Sequence, residues 1–194
     1  MQTVSSPLPR DFFERDSREL APLLLNKILV CRGLSGRIVE VEAYAGAEDP
    51  ASHAYRGETR RNATMFGPAG HLYVYFTYGM HWCANTVCGP EGAASAVLLR
   101  ALAPIEGVDC MRERRGRKHP DRLLCAGPAR LCQALAINGG DDGTDLVAGS
   151  HDIRIVDDGR RPPARPGRSR RIGLSKALEH RWRWFVEGDP NLSR

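Results

Sequence analysis

Between residues 28 and 104 the chain is a succession of strand-like runs with no helical pattern between them. They are ILVCR (28–32), RIVEVEAYA (37–45), HLYVYFTYG (71–79), HWCANTVCG (81–89) and ASAVLLRALAP (94–104). Parallel neighbours need a crossover of a dozen or more residues, usually a helix, whereas antiparallel strands can be joined by tight turns. The Gly33–Gly36 and Gly79-Met80 junctions are of the tight kind. The expected fold is therefore α+β, one mixed domain over residues 1–194 with a mainly antiparallel sheet core and flanking helices.

Around this core, DSRELAPLLLNK predicts a helix capped by Asp16 or Ser17, with Leu20, Leu23 and Leu24 on one face. LLCAGPARLCQALAI (123–137) predicts a second, with Gly127-Pro128 at its opening. Residues 46–70 read as a long polar loop, of a length that in a small domain is usually either functional or disordered. Residues 138–170 hold an acidic loop, a short strand IRIVD (153–157) and a Pro/Arg-rich connector. RRIGLSK and WRWFVEG are two further strand candidates. No apolar run approaches the roughly 18 residues of a membrane span. The N-terminal residues lack the pattern of a signal peptide, so a cytoplasmic location is expected.

Charge is unevenly spread. Of 28 Lys and Arg only Lys27, Lys118 and Lys176 are lysines. Met111 to Arg130 carries seven cations against two carboxylates, and Gly159 to Arg183 carries nine against Glu179 alone. Between them, Asn138 to Asp158 carries six aspartates against Arg154. Two arginine-rich blocks suit a polyanion, and equally suit two solvated basic surfaces. The six cysteines form no CxxC and sit mostly in apolar stretches, which reads as reduced thiols. His81, Cys83 and Cys88 lack the matched second pair of a zinc site, so no metal is expected.

Two positions stand out chemically. In RIVEVEAYA, alternation puts Ile38, Glu40, Glu42 and Tyr44 on one face. Arg100 is the single charge of an eleven-residue apolar strand and the natural partner for Glu42. The pair reads either as a structural ion pair or as a general base with the cation that fixes its water. Tyr44, His53 and Tyr75 can wall a slot for a flat heterocycle whose edge Asn85 reads, although tyrosines on strands are also ordinary sheet packing. Tyr75 and Tyr78, three apart, point to opposite faces if the strand runs through both.

The ordered set GRIVEVEAYAG, ASHAYRG, TRRNATMFGPAGHLYVYFTYGMHWCANTVC, AVLLRALAP, CAGPARLCQALAI and RRIGLSKA resembles the alkyladenine (3-methyladenine) DNA glycosylase family, over most of residues 11–190. The resemblance implies a monofunctional base-excision repair enzyme that flips a damaged purine from duplex DNA and hydrolyses its N-glycosidic bond. It implies that Glu42 is the general base. Arg100 and the backbone carbonyl of Ile172 would hold the attacking water. Tyr44, His53 and Tyr75 would hold the extruded base, with Asn85 crowding the 2-amino group of normal guanine. Tyr78 would wedge into the duplex beside Met80, and Arg60 and Arg61 would contact DNA. Arg60 is a departure, since many members have proline before the Arg-Asn pair, and it adds a candidate phosphate contact. A monomer without cofactor, resembling a bacterial-type core, is expected.

Two rivals remain at this stage. A glycosylase/lyase would need an amine nucleophile from Lys27, Lys118, Lys176 or the N-terminus. A non-catalytic protein binding damaged DNA or structured RNA would explain the basic blocks and aromatics but leave Glu42 and Arg100 without a task.

Overall fold

The computed structural model describes residues 6–193. A nine-stranded, wholly antiparallel sheet runs through it. Its main path places, in spatial order, β1 (Ser6–Pro7), β7 (Ile153–Asp157), β2 (Ile28–Cys31), β3 (Leu34–Ala45), β6 (Ser95–Glu106), β5 (His81–Cys88) and β4 (Leu72–Thr77). The short strands β8 (Gly167–Ser169) and β9 (Arg183–Phe185) pair with each other, and β9 also lies against β3. The α+β class read from the sequence holds.

Four short helices accompany the sheet: α1 (Arg10–Phe13), α2 (Ser17–Leu24), α3 (Val108–Arg115) and α4 (Pro128–Leu135). Asp16 caps α2 by accepting the Arg18 amide at 2.8 Å. Leu20 and Leu24 of α2 and Leu131 and Leu135 of α4 are buried in one core cluster with Val41, Leu99 and other strand residues. Fully burying an aliphatic side chain of this size contributes about 1.5–3 kcal/mol, which makes this cluster the main source of stability.

Three expectations need correction. RRIGLSK forms no strand: Gly173 lies at φ +76°, and the segment is a loop. A strand appears instead at Gly167–Ser169, inside the Pro/Arg-rich connector. The helix expected over 123–137 begins only at Pro128, because Gly127 at φ +133° is outside helical space. Residues 121–123 form a separate 3-10 turn. Helix α3 was not anticipated, since VDCMRERR buries only Met111 and carries no apolar stripe.

The 46–70 loop is packed down onto the sheet. Ala54 and Met65 are buried against Tyr73, Val87 and Ala96 in a second, smaller cluster. Asn62 braces it from inside, donating to the carbonyls of His53 (3.0 Å) and Gly57 (3.1 Å) and accepting from the Thr59 amide (2.6 Å). Gly46 turns the chain out of β3 at φ +56°, where a Cβ would lie 2.2 Å from the Ala93 carbonyl oxygen. Only glycine meets both conditions.

Candidate active site

A row of directly opposed residues crosses four strands: Glu42 on β3 faces Leu98 on β6, which faces Asn85 on β5, which faces Tyr73 on β4. Opposed residues share a face; Leu98, Asn85 and Tyr73 of the row line a cavity of about 300 Å³, and Glu42 lies buried at the row's end. Tyr44, His53, Tyr75, Tyr78, Arg100 and Ile172 contribute to the cavity's lining.

Arg100, two residues on from Leu98, shares its face by alternation, at a point where the pairing is irregular. Pairing of β3 with β6 shifts around Glu40, so that Glu40 faces Ala101 while Val41 faces Leu99, and Arg100 is passed over. Such bulges re-aim side chains and are common beside active sites. Here Arg100 belongs to a buried three-part charge cluster. Arg100 Nε donates to Glu40 Oε1 at 2.8 Å, and its Nη1 lies 3.2 Å from Glu42 Oε1. Sequence reading paired Arg100 with Glu42 alone; the closer partner is Glu40.

The two carboxylates, both fully buried, diverge in character. Burial pushes Glu40 up, but Arg183, Ser193 and Arg100 outweigh it and hold the group below its ordinary value. For Glu42 burial wins. Its pKa is raised despite the Arg100 charge, the Ile172 amide and the Tyr44 hydroxyl, with Glu40 adding a like charge. The Ile172 amide donates to Glu42 Oε1 at 2.7 Å, and the Tyr44 hydroxyl donates to Oε2 at 3.0 Å. A carboxylate has about four acceptor positions, so with two hydrogen bonds accepted and Arg100 alongside, Glu42 retains the capacity to accept a proton from a reactant. Neighbouring carboxylates with separated pKa values mark a division between a permanently ionised group and a proton acceptor.

The walls are aromatic. Arg171, itself buried, lies with its guanidinium carbon 4.6 Å from the Tyr44 ring centroid and 5.1 Å from that of Trp182. It is anchored by a two-pronged ion pair to Asp49 and donates to the Ala43 carbonyl at 2.9 Å. Arg171 immediately precedes Ile172, so one anchor holds both the Tyr44 ring and the amide that touches Glu42. The other wall has His53 edge-on to Tyr75 (4.4 Å between centroids), with Tyr75 stacked on Tyr73 (5.4 Å). His53 Nδ1 lies 3.1 Å from the Tyr73 hydroxyl. Loss of surrounding water and the Arg61 charge push the imidazole below its ordinary pKa. His53 is thus neutral near pH 7 and a poor proton donor. Asn85 is buried on the row and donates to the Tyr73 carbonyl at 3.1 Å.

At the mouth, Tyr78 does not continue β4. It takes a left-handed conformation (φ +52°) in the turn between β4 and β5, which returns its side chain to the cavity side. Tyr75 and Tyr78 therefore meet at the same cavity, against the alternation expected of a continuous strand. Left-handed backbone is uncommon for so bulky a residue. Tyr78 and Met80 are 77% and 66% exposed, an apolar tip that no packing accounts for. Arg61 donates to the Phe76 carbonyl and lies 5.8 Å from the Tyr75 centroid, while Arg60 is exposed.

The arginine-rich blocks are partly satisfied within the chain, some at the surface and some buried. Arg112 pairs with Asp109 and Asp121, Arg114 and Arg115 bond carbonyls of Ala134 and Leu124, and Arg183 and Arg171 serve Glu40 and Asp49. None of the three lysines lines the cavity, and Lys27 is paired with Asp157. The N-terminal amine lies outside the described residues. Among the described residues no three His, Cys, Asp or Glu side chains converge to hold a metal, and no helix is long and apolar enough to cross a membrane.

Sequence reasoning missed Arg171, Asp49, Arg183 and Ser193. The signal for Glu40 was present in its shared face with Glu42. Asp49 carried none, because its pairing partner lies 122 positions away.

Comparison with known proteins agrees with this architecture. Residues 11–190 match the family described as Methylpurine-DNA glycosylase (MPG). A Burkholderia lata protein named "Putative 3-methyladenine DNA glycosylase" is 57% identical over 187 residues, covering 96% of this chain and 90% of its own length. Proteins of the same name from Agrobacterium fabrum and Streptomyces avermitilis are each 47% identical, covering 100% and 97% of this chain and 95% and 91% of their own. The family match, spanning the strands and loops that build the cavity, makes the chain a member of the methylpurine-DNA glycosylases, hydrolases of N-glycosyl bonds that act on DNA in its repair.

Proposed function

We propose that the protein is a monofunctional glycosylase acting as a monomer in the bacterial cytosol. Its substrate is a damaged purine in duplex DNA: 3-methyladenine, 7-methylguanine, ethenoadenine or hypoxanthine. The observation that carries the reading is Glu42, a fully buried carboxylate with a raised pKa, in contact with Tyr44, Ile172 and Arg100 of the lining of an aromatic cavity. A purine inside a duplex is out of reach of such a group, so the nucleotide must rotate out, at a cost of a few kcal/mol. Tyr78, exposed on its turn, fills the gap left in the stack, as wedging side chains do in minor-groove binders, and Met80 supports it. Arg61, beside the Tyr75 ring, and the exposed Arg60 would meet phosphates.

In the cavity the base lies between Tyr44 on one side and His53 and Tyr75 on the other, with Asn85 excluding the 2-amino group of guanine. Glu42 takes a proton from water as its oxygen bonds to the anomeric carbon. The bond from that carbon to the purine nitrogen breaks, its electron pair leaving with the base, through an oxocarbenium-like transition state. Arg100 and the Ile172 carbonyl orient the water. A cationic alkylated base departs as a neutral purine, while hypoxanthine and ethenoadenine must gain a proton, for which neutral His53 is a poor source.

Single-turnover release from duplexes carrying one lesion each, in EDTA, tests the reading. Release of the alkylated purines with none from undamaged DNA is expected. Capture of a Schiff base by borohydride would instead establish an amine nucleophile.

A further inference from the structure

Residues 189–193, the last three of them beyond the stretch matched by the family, bring their contacts to the charge cluster, where Ser193 shares with Arg100 the lining of a second cavity. After β9 the chain turns at Asp189, whose carboxylate accepts the Asn191 amide at 2.8 Å and the Asn191 side-chain amide at 2.7 Å. This turn delivers Ser193 to Glu40. The Ser193 amide donates to Glu40 Oε2 at 2.6 Å, and its hydroxyl donates to Glu40 Oε1 at 2.6 Å. The same hydroxyl oxygen accepts from Arg100 Nη2 at 3.0 Å.

Arg100 is therefore fixed on three edges: Nε by Glu40, Nη2 by Ser193, and Nη1 against Glu42. A planar guanidinium with two edges held cannot swing about its stem, so the third edge is presented to Glu42 in one orientation. The hydroxyl is essential to that arrangement because a buried guanidinium edge left without an acceptor is costly, and Arg100 is only 6% exposed. Ser193 and Arg100 also line a second cavity, of about 340 Å³, with Gly127 and Pro128 at the start of α4. Without the serine hydroxyl, Arg100 has room on that side to relax away from Glu42.

We propose that Ser193 is a positioning residue of the active site, which aligns Arg100 on Glu42 by closing a Glu40–Ser193–Arg100 clasp. The proposal rests on the reading of Glu42 as general base. The test compares Ser193→Ala and Ser193→Thr with wild type in two measurements, the single-turnover release rate at saturating enzyme and the affinity for lesion duplex. Ser193→Ala should lower the rate roughly tenfold, as small misplacements of catalytic groups do, with affinity unchanged. Ser193→Thr, which keeps the hydroxyl, should restore the rate. An unchanged rate in Ser193→Ala, an equal loss of affinity, or a threonine variant as slow as the alanine one would each overturn the proposal. Should the alanine variant fail to fold, Ser193→Cys keeps the volume and weakens both hydrogen bonds, and a wild-type rate there overturns it as well. Glu42→Gln run alongside separates the two failures. Full turnover in that variant fells the general-base reading and this proposal together; an inactive Glu42→Gln beside a fully active Ser193→Ala fells only the clasp.

Discussion

Glu42→Gln is expected to bind damaged duplex as wild type does and to lose base release by roughly 10³-fold or more, the upper range for general acid–base groups. The amide is nearly isosteric, and its oxygen can still accept the Ile172 N–H that now reaches Oε1 at 2.7 Å. What it cannot do is take a proton from water. Burial raises the pKa of Glu42, so in the folded state it is the ionised form that is disfavoured. A neutral side chain at that position should leave the melting temperature no lower than wild type at pH 7. Loss of activity with stability kept would separate the chemical role of Glu42 from a structural one, and retained turnover would remove the role altogether.

Asp49→Ala is expected to have the largest effect on stability. The Arg171 and Asp49 side chains are 1% and 0% exposed, and removing the carboxylate leaves a guanidinium buried without its counter-ion. Breaking such a pair from one side costs about 3–5 kcal/mol. For a chain of this size that lowers the melting temperature by roughly 10 °C. The loss should also reach the site at temperatures where the fold survives, because Arg171 lies against the Tyr44 ring and adjoins Ile172. Glu113→Ala is the control: its Arg117 pair is 61% and 81% exposed, and removing it should change little. Thermal unfolding of the two variants checks the contrast, and equal small shifts would contradict it.

The sequence made some of this visible and hid the rest for physical reasons. Alternation in RIVEVEAYA put Glu40, Glu42 and Tyr44 on one face because a strand has a period of two, and β3 keeps it through Glu40, Glu42 and Tyr44. The pairing shift that passes over Arg100 depends on two strands together and leaves no mark on either alone. RRIGLSK looked like a strand because Ile172 and Leu174 alternate, but those two residues line the cavity from a loop whose Gly173 is left-handed. Tyr78 was assigned a face by counting along β4, which ends at Thr77. The arginine blocks read as a uniform basic surface because composition cannot tell an arginine that meets Asp49 or Glu40 from one that meets solvent. The order of motifs along residues 11–190 identified the family, and the clasp at Ser193 falls outside that stretch.

The most direct test of the account is the pH dependence of single-turnover release of 7-methylguanine, a base that departs without protonation. A base with a raised pKa loses its charge as pH falls through a value above the ordinary carboxylate range. The carboxylates that stabilise the fold behave oppositely. Glu40, Asp145 and Asp158 are held below their ordinary values, Asp158 at about 2, so their stabilisation is present above the unfolded-state values and is lost only as pH falls toward the folded ones. Activity should therefore fall on the acid side while the protein is still folded, with a midpoint above the usual range for glutamate. A rate that stays level until the protein unfolds would contradict Glu42 as the group that activates water.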